Sequence, residues 1–296
     1  MYEFLIYAVT ITAIYGLMAL GLHLQAGYSG LMNFGHIAFA GVGAYSTGIA
    51  IHSGWGAMAG TAIGVILAMS LGWAVARLGR QLAADYWAIV TLAIAEIIRT
   101  VANNEAWLTG GAQGLSALTM PFQTLGRPYT AIAFMVFVVV LFAVLAWACH
   151  RIGNGRLGRA LRLMREEPKL AGCMGYDLIT LKTRALMSGA AVTAIGGSLY
   201  AQYMSFVGPD YLLASETFLL WTMVMIGGLG STLGVMVGVV VVQAVYSSVP
   251  FLKDMLGFSS DMTGALRLGL VGFLLLACLL WRSQGLVPEK LRKIPS

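Results

Sequence analysis

The sequence predicts an all-α, polytopic helical membrane protein with about nine transmembrane spans, N-terminus outside and C-terminus inside. Three observations carry that expectation. Charged residues make up 10% of the chain, against the ~25% of a soluble domain. Apolar runs near the ~20 residues needed to cross a bilayer recur along all 296 residues, and mean hydropathy is +0.82. Basic residues gather at alternate ends of these runs, which is how orientation is written into a membrane chain. A single domain over residues 1–296 follows, and a soluble α/β enzyme is excluded.

The first span is expected over Phe4–Leu22, and with no basic residues before it, it reads as a retained span rather than a cleaved signal. His23–Gly30 interrupts the hydrophobicity. A second, Gly-rich span follows over Leu31–Ile51, where Gly35, Gly41, Gly43 and Gly48 let helix backbones approach closely. The third covers Ala57–Ala76 and ends at Arg77 and Arg80; the fourth, Trp87–Ala102, contains Glu96 and Arg99. Residues 103–128 form a polar loop with Gly110, Gly111, Gly114 and Pro121, expected to fold over the outer surface. The fifth span is Tyr129–Cys149 and the sixth Ala185–Val207, broken at Gly208-Pro209-Asp210. The seventh starts near Glu216 and stops at Gly227-Gly228-Leu229-Gly230-Ser231, and the eighth continues to Val249. Pro250–Thr263 is expected as a second outer loop, before a ninth span at Gly264–Trp281 and the basic tail Arg282–Ser296.

Between the fifth and sixth spans lies the one long polar stretch, Arg151–Arg184, with eight of the 18 Lys and Arg residues, among them Arg159, Arg162 and Lys169. Placing it inside and alternating outwards puts fourteen of the 18 basic residues inside, which is the bias the positive-inside rule requires. Within this loop Glu166-Glu167-Pro168, followed by an apolar run and Gly175, describes a short helix. Acids suit the positive end of its dipole, Pro its first position and Gly its left-handed cap. A short capped helix on a basic intracellular loop suits docking onto another protein.

Several polar residues fall inside apolar runs. Glu96 in mid-span is expensive as a carboxylate, and Arg99 sits one turn away. It reads either as a residue facing a translocation path or as half of a local ion pair. Asn33 and His36 share one helix face, lining a path or packing by hydrogen bonds. The Gly/Ser breaks at 27–30 and 227–231 read either as tight turns or as interrupted helices beside a substrate route. Gln202, Glu216 and Gln243 are further polar candidates.

The pI of about 9.3 reflects topology and gives no reason to expect nucleic acid. No phosphate-binding loop, HExxH or GxSxG motif occurs, so neither catalytic residues nor a cofactor is expected. Cys149, Cys173 and Cys278 lack CxxC spacing and are expected as inert, buried thiols rather than as a disulfide framework or metal site; the four His residues likewise lack metal-ligand spacing.

Taken in order, many short stretches resemble the permease subunits of bacterial branched-chain amino acid ABC transporters, of the LivM type. They are Leu24–Gly30 followed by Phe34–Phe39, Asp85–Leu92 with Thr91 inside it, Glu96–Arg99, Leu108–Gly111, Gly158–Arg162, Met174-Gly175, Gly197–Ala201 and Gly227–Ser231. The resemblance covers nearly the whole chain. It implies a second, homologous permease, two cytoplasmic ATPase subunits, a periplasmic binding protein and a place in the inner membrane. It also makes the basic loop the coupling element seated in an ATPase groove. Arg159, Arg162, Glu166, Glu167, Lys169, Ala171 and Gly175 are then the candidate coupling residues. Ala171 and Gly175 resemble the Ala and Gly of the importer coupling motif, whose acidic start is displaced here to Glu166-Glu167 and whose closing Leu-Pro is missing. Asn33, His36, Thr91, Glu96, Gly227 and Gly228 are the candidate path residues.

The implied activity is alternating access for branched-chain amino acids, driven by ATP hydrolysis on the partner subunits. A permease for urea or short-chain amides is the alternative within the family. An ion-coupled secondary transporter using Glu96 and His36 is the alternative outside it, and would leave the basic loop unexplained. A membrane scaffold is the remaining class, to be told apart by the absence of a polar-lined groove on spans two and four.

Overall fold

The computed structural model describes residues 2–80, 82, 84–116, 118–123, 126, 129–256, 260–281 and 285–288. Among the described residues seven helices are long and apolar enough to cross a membrane, and two shorter apolar helices accompany them. Helix α1 (Tyr2–Leu22) runs on without a break through a π-helical turn, His23–Tyr28. After it come α2 (Ile37–His52), α3 (Ala57–Leu78) and α4 (Ala84–Asn104). The loop after α4 carries α5 (Ala106–Thr109), a 3-10 turn at Gly111–Gln113 and β1 (Leu115–Ser116). Helices α6 (Tyr129–Asn154), α7 (Arg156–Glu166), α8 (Pro168–Cys173) and α9 (Leu178–Met204) follow. The chain closes with β2 (Phe206–Val207), a 3-10 turn at Pro209–Leu212, α10 (Ala214–Gly227), α11 (Thr232–Leu256) and α12 (Ser260–Trp281).

Helix α9 is the centre, packed on α1, α2 and α3. Small residues permit this. A Cβ on Gly197 would overlap the Ala40 carbonyl oxygen, and one on Gly43 would overlap that of Ala194. The backbones of α2 and α9 therefore touch, and no larger residue fits. A second seam joins α10 to α11, where a Cβ on Gly227 would overlap the Gly234 carbonyl and one on Gly238 that of Met223. Fully buried Leu17, Phe134, Leu220 and Met223 fill the space between α1, α6 and α10, while Leu20, Leu161 and Leu186 fill the end nearest α7.

Several expected boundaries move. The first span extends to Tyr28 instead of ending at Leu22, because a π-helical turn carries the chain past polar His23 and Gln25. The second begins at Ile37, not Leu31, since residues 29–36 are non-helical and held by side chains described below. Helix α9 starts seven residues before the expected Ala185. Asp177 caps it by accepting from the Ile179 N–H at 3.0 Å. The Thr180 hydroxyl and that N–H together hold the Asp177 carboxyl below its usual range. The loop expected at Pro250–Thr263 is mostly helix, as α11 reaches Leu256 and α12 begins at Ser260. Membrane helices tolerate a Pro such as Pro250 where the surroundings re-satisfy the freed backbone. Of the basic residues used for topology, Arg127, Arg282, Lys290, Arg292 and Lys293 lie outside the described residues.

The loop between α4 and α6 is tied to the bundle by a two-residue antiparallel pairing, Leu115 with Val207 and Ser116 with Phe206. At the other end, residues 285–287 lie across the end of α10. Leu286 N–H donates to Ile226 O at 2.8 Å and Val287 N–H to Gly227 O at 3.1 Å, satisfying carbonyls that the helix end leaves open. The thiols divide: Cys149 is buried and Cys278 half-buried, but Cys173, expected inside, is exposed at the end of α8.

Candidate functional site

Two polar regions stand out against the apolar bundle. The first surrounds the non-helical segment 29–36, whose backbone groups need partners at membrane depth. Side chains from α4 and α10, and Asn33 of the segment itself, provide partners here and at the start of α2. Phe34 N–H donates to Thr91 Oγ1 on α4 at 3.2 Å, and Ile37 N–H to Thr217 Oγ1 on α10 at 3.2 Å. Asn33 O accepts from Trp221 Nε1 at 3.0 Å, and Asn33 Oδ1 accepts from Gly35 N–H at 2.9 Å.

Gln25, in the π-helical turn, is the hub. Its Nε2 donates to Leu186 O at 3.2 Å, which fixes the amide, and its Oε1 accepts from Asn33 Nδ2 at 2.8 Å. His36 Nδ1 lies 3.1 Å from the same oxygen. On the far side of the ring, Nε2 meets Met18 O at 3.0 Å and Thr193 Oγ1 at 2.8 Å. Gln25 Oε1 and Met18 O are both acceptors facing opposite ring nitrogens. A ring with one proton therefore satisfies one of them at a time, with the Thr193 hydroxyl as the other partner of Nε2. His23, Gln25, Asn33 and His36 are all buried.

The second region is the α7–α8 elbow, and it connects to the first. Arg162 stacks over the Tyr28 ring at 5.1 Å, and Arg165 donates to Gly27 O. The Tyr28 hydroxyl meets Thr232 Oγ1 at 2.8 Å, and the His23 ring lies 3.3 Å from the same oxygen. A Cβ on Gly27 would overlap the Leu229 carbonyl. The two Gly/Ser breaks, 200 residues apart in sequence, thus touch each other directly beneath α7. Helix α8 has the form its sequence implies: Glu167 at the N-cap, Pro168 in the first turn, and Gly175 at φ +83° two residues past its end. On this elbow Leu170, Met174 and Tyr176 are exposed at 50%, 64% and 42%, an apolar patch on the most polar part of the chain.

The family described as branched-chain amino acid transport system / permease component matches residues 4–279. The chain belongs to that family. It is 28% identical over 303 residues to the LivM permease protein of the high-affinity branched-chain amino acid transport system of Escherichia coli K12, covering 94% of this chain and 69% of that protein. A LivM permease protein of Methanocaldococcus jannaschii is 27% identical, covering 94% of this chain and 91% of that one. The LivH permease protein of E. coli K12 is 25% identical over 78% of this chain and 80% of its own. No solved structure matches.

The branched-chain permease family is one of multi-pass membrane subunits that are not themselves catalytic, and the expected residues are distributed within this one as follows. Asn33, His36 and Thr91 come together in the buried network. Glu96 stays apart, on the outward side of α4, 53% exposed and bonded to Arg99 Nε at 3.0 Å by both carboxylate oxygens. Gly227 and Gly228 form the turn between α10 and α11, beneath residues 285–287. Among the candidate coupling residues Arg159, Glu166, Glu167, Lys169 and Gly175 are exposed, Ala171 is fully buried against α9, and Arg162 faces Tyr28. Sequence reasoning missed Gln25 as the hub, together with Thr193, Thr217 and Trp221. A Gln amide inside an apolar run was the available signal, because such a group is seldom left unpaired in lipid.

Proposed function

We propose that this chain is one of two permeases of a bacterial inner-membrane ABC importer for branched-chain amino acids. Its spans number nine, N-outside and C-inside, the seven long helices being joined by α2 and α10. Those two measure about 24 and 21 Å along their axes, so they cross the ~30 Å hydrocarbon core only together with the non-helical segments that continue them. Homology to both LivM and LivH, which share one system description in E. coli, supports a second permease as partner. Two cytoplasmic ATPases and a periplasmic binding protein complete the assembly.

The observation that carries the reading is the α7–α8 elbow. It presents Leu170, Met174 and Tyr176 outward, with Glu166, Glu167 and Lys169 beside them; its inner side reaches the first helix break through Arg162 and Arg165, and that break touches the second through Gly27 and Tyr28. Exposed apolar side chains ringed by charges are what a partner groove covers. Closure of the ATPases pushes this elbow, and the push passes through Tyr28 and Thr232 to the breaks in α1–α2 and α10–α11. An outward opening then becomes an inward one, and ATP chemistry stays on the partners. The family assignment leaves the ion-coupled and scaffold readings without support, and the outward-facing Glu96–Arg99 pair adds none. A urea or amide cargo is the alternative within the family.

The test is co-purification of the two permeases with their ATPases, using Glu167→Arg and Met174→Asp. Both substitutions lie on exposed side chains, so the fold should persist while ATPase capture falls. Capture undiminished in both variants would remove the elbow from the coupling interface.

A further inference from the structure

Between α10, α11 and α12 lies a cavity of about 710 Å³ that the polar network does not reach. This is the size of a small-molecule site. Most of its wall is apolar, from Leu219, Leu268, Val271, Leu275 and Leu276, but two side chains of opposite charge enter it, Glu216 and Arg267. Among the described residues these two do not form an ion pair with each other.

Glu216 Oε2 accepts from the Tyr15 hydroxyl at 2.8 Å, which fixes the carboxylate, and among the described residues no bond to its other oxygen is seen. The Arg267 guanidinium lies 4.9 Å over the Tyr246 ring, held in place by that stacking, and its Nε is buried without a hydrogen-bond partner. Two opposite charges that line one cavity without meeting each other are poised for something placed between them. In a membrane interior each is costly until it is paired.

We propose that this cavity holds the α-amino acid itself: Glu216 receives the ammonium, Arg267 grips the carboxylate, and the apolar wall takes the aliphatic side chain. The Arg fork offers two N–H groups to a carboxylate. A zwitterion brings both charges that the two protein groups lack. Urea brings neither, and an amide cannot satisfy Arg267 as a carboxylate does. Position agrees: Glu216 is in the first turn of α10, Arg267 in the second turn of α12 and Tyr246 past the middle of α11, all in the half of these helices away from the α7–α8 elbow. In the proposed orientation that is the outer half, where cargo arrives.

This inference rests on the amino acid importer reading, and the experiment separates the two. The complete importer is reconstituted in vesicles, and uptake of labelled leucine, alanine and urea is measured. Glu216→Gln and Arg267→Gln should each cut leucine uptake by about tenfold or more, the value of one charged hydrogen bond, while subunit co-purification persists. Arg267→Lys keeps the charge without the fork and should fall between. Gly272 lines the same cavity, and a Cβ there meets nothing within 4 Å. Gly272→Leu should therefore leave the fold intact, fill the space and reduce leucine uptake more than alanine uptake. Leucine uptake within about twofold of wild type in both charge variants would overturn the clamp. If those variants fail to assemble, an unchanged leucine-to-alanine ratio in Gly272→Leu overturns it instead. A wild type that carries urea and not leucine defeats the cargo reading itself.

Discussion

Gln25 shows what one side chain does in a place where water cannot help. It answers Leu186 O, Asn33 and His36 at once, and so fixes the non-helical segment between α1 and α2. Gln25→Ala leaves both Asn33 Nδ2 and His36 Nδ1 without this partner, at a cost of about 1–3 kcal/mol for each buried group. The purified chain should then melt several degrees lower in detergent, and an unchanged melting temperature would show that the network relaxes around the loss. The sequence made Asn33 and His36 visible because two polar residues three apart define one helix face. It did not show that the face is no helix, since Asn33 precedes α2 and its bonds run to Gln25, Gly35 and Trp221. Glu96 and Arg99 were legible as a pair from spacing alone, and the structure joins them. Glu216 and Arg267 share a cavity only through the packing of α10 on α12, which no spacing in sequence conveys.

At the scale of elements, the breaks were easier to find than to interpret. Gly27–Gly30 and Gly227–Ser231 announce interruptions, yet their contact with each other and with α7 depends on tertiary packing through Tyr28, Thr232 and Arg165. The short helix α8 was readable because caps are local: acids, then Pro, then Gly. Helix α7 was not, since its residues Arg156–Glu166 read as a basic loop until Ala160, Leu161 and Met164 are seen buried together on one side. The small-residue seams make a sharper statement. Gly197 faces the Ala40 carbonyl with no room for a Cβ. Gly197→Val should push α2 from α9 and cost about 1–3 kcal/mol by overpacking, seen as loss of monodisperse protein in size-exclusion chromatography. Normal elution and melting would mean that the crossing is looser than its backbone contacts imply.

For the molecule as a whole, orientation is the property on which the other readings depend. Cys173 offers a direct test, because it is exposed at the tip of the α7–α8 elbow while Cys149 is buried and Cys278 half-buried. A membrane-impermeant maleimide should label it in inverted vesicles and not in right-side-out ones, and bound ATPases should shield it. Labelling from the outside would reverse the proposed topology. The orientation expected from the sequence rests on where Lys and Arg fall and needs no tertiary information. The same reasoning says nothing of how helices pack, and there the chain has one unusual dependency. The carbonyls of Ile226 and Gly227 are closed by the N–H groups of Leu286 and Val287. During synthesis, then, every apolar helix can be made and inserted while the floor of the α10–α11 hairpin is still open. A chain released just after Trp281 would pass any count of spans and still lack its final closure. For this protein, making the last helix and completing the fold are separate steps in chain order, and the second waits for residues that follow that helix.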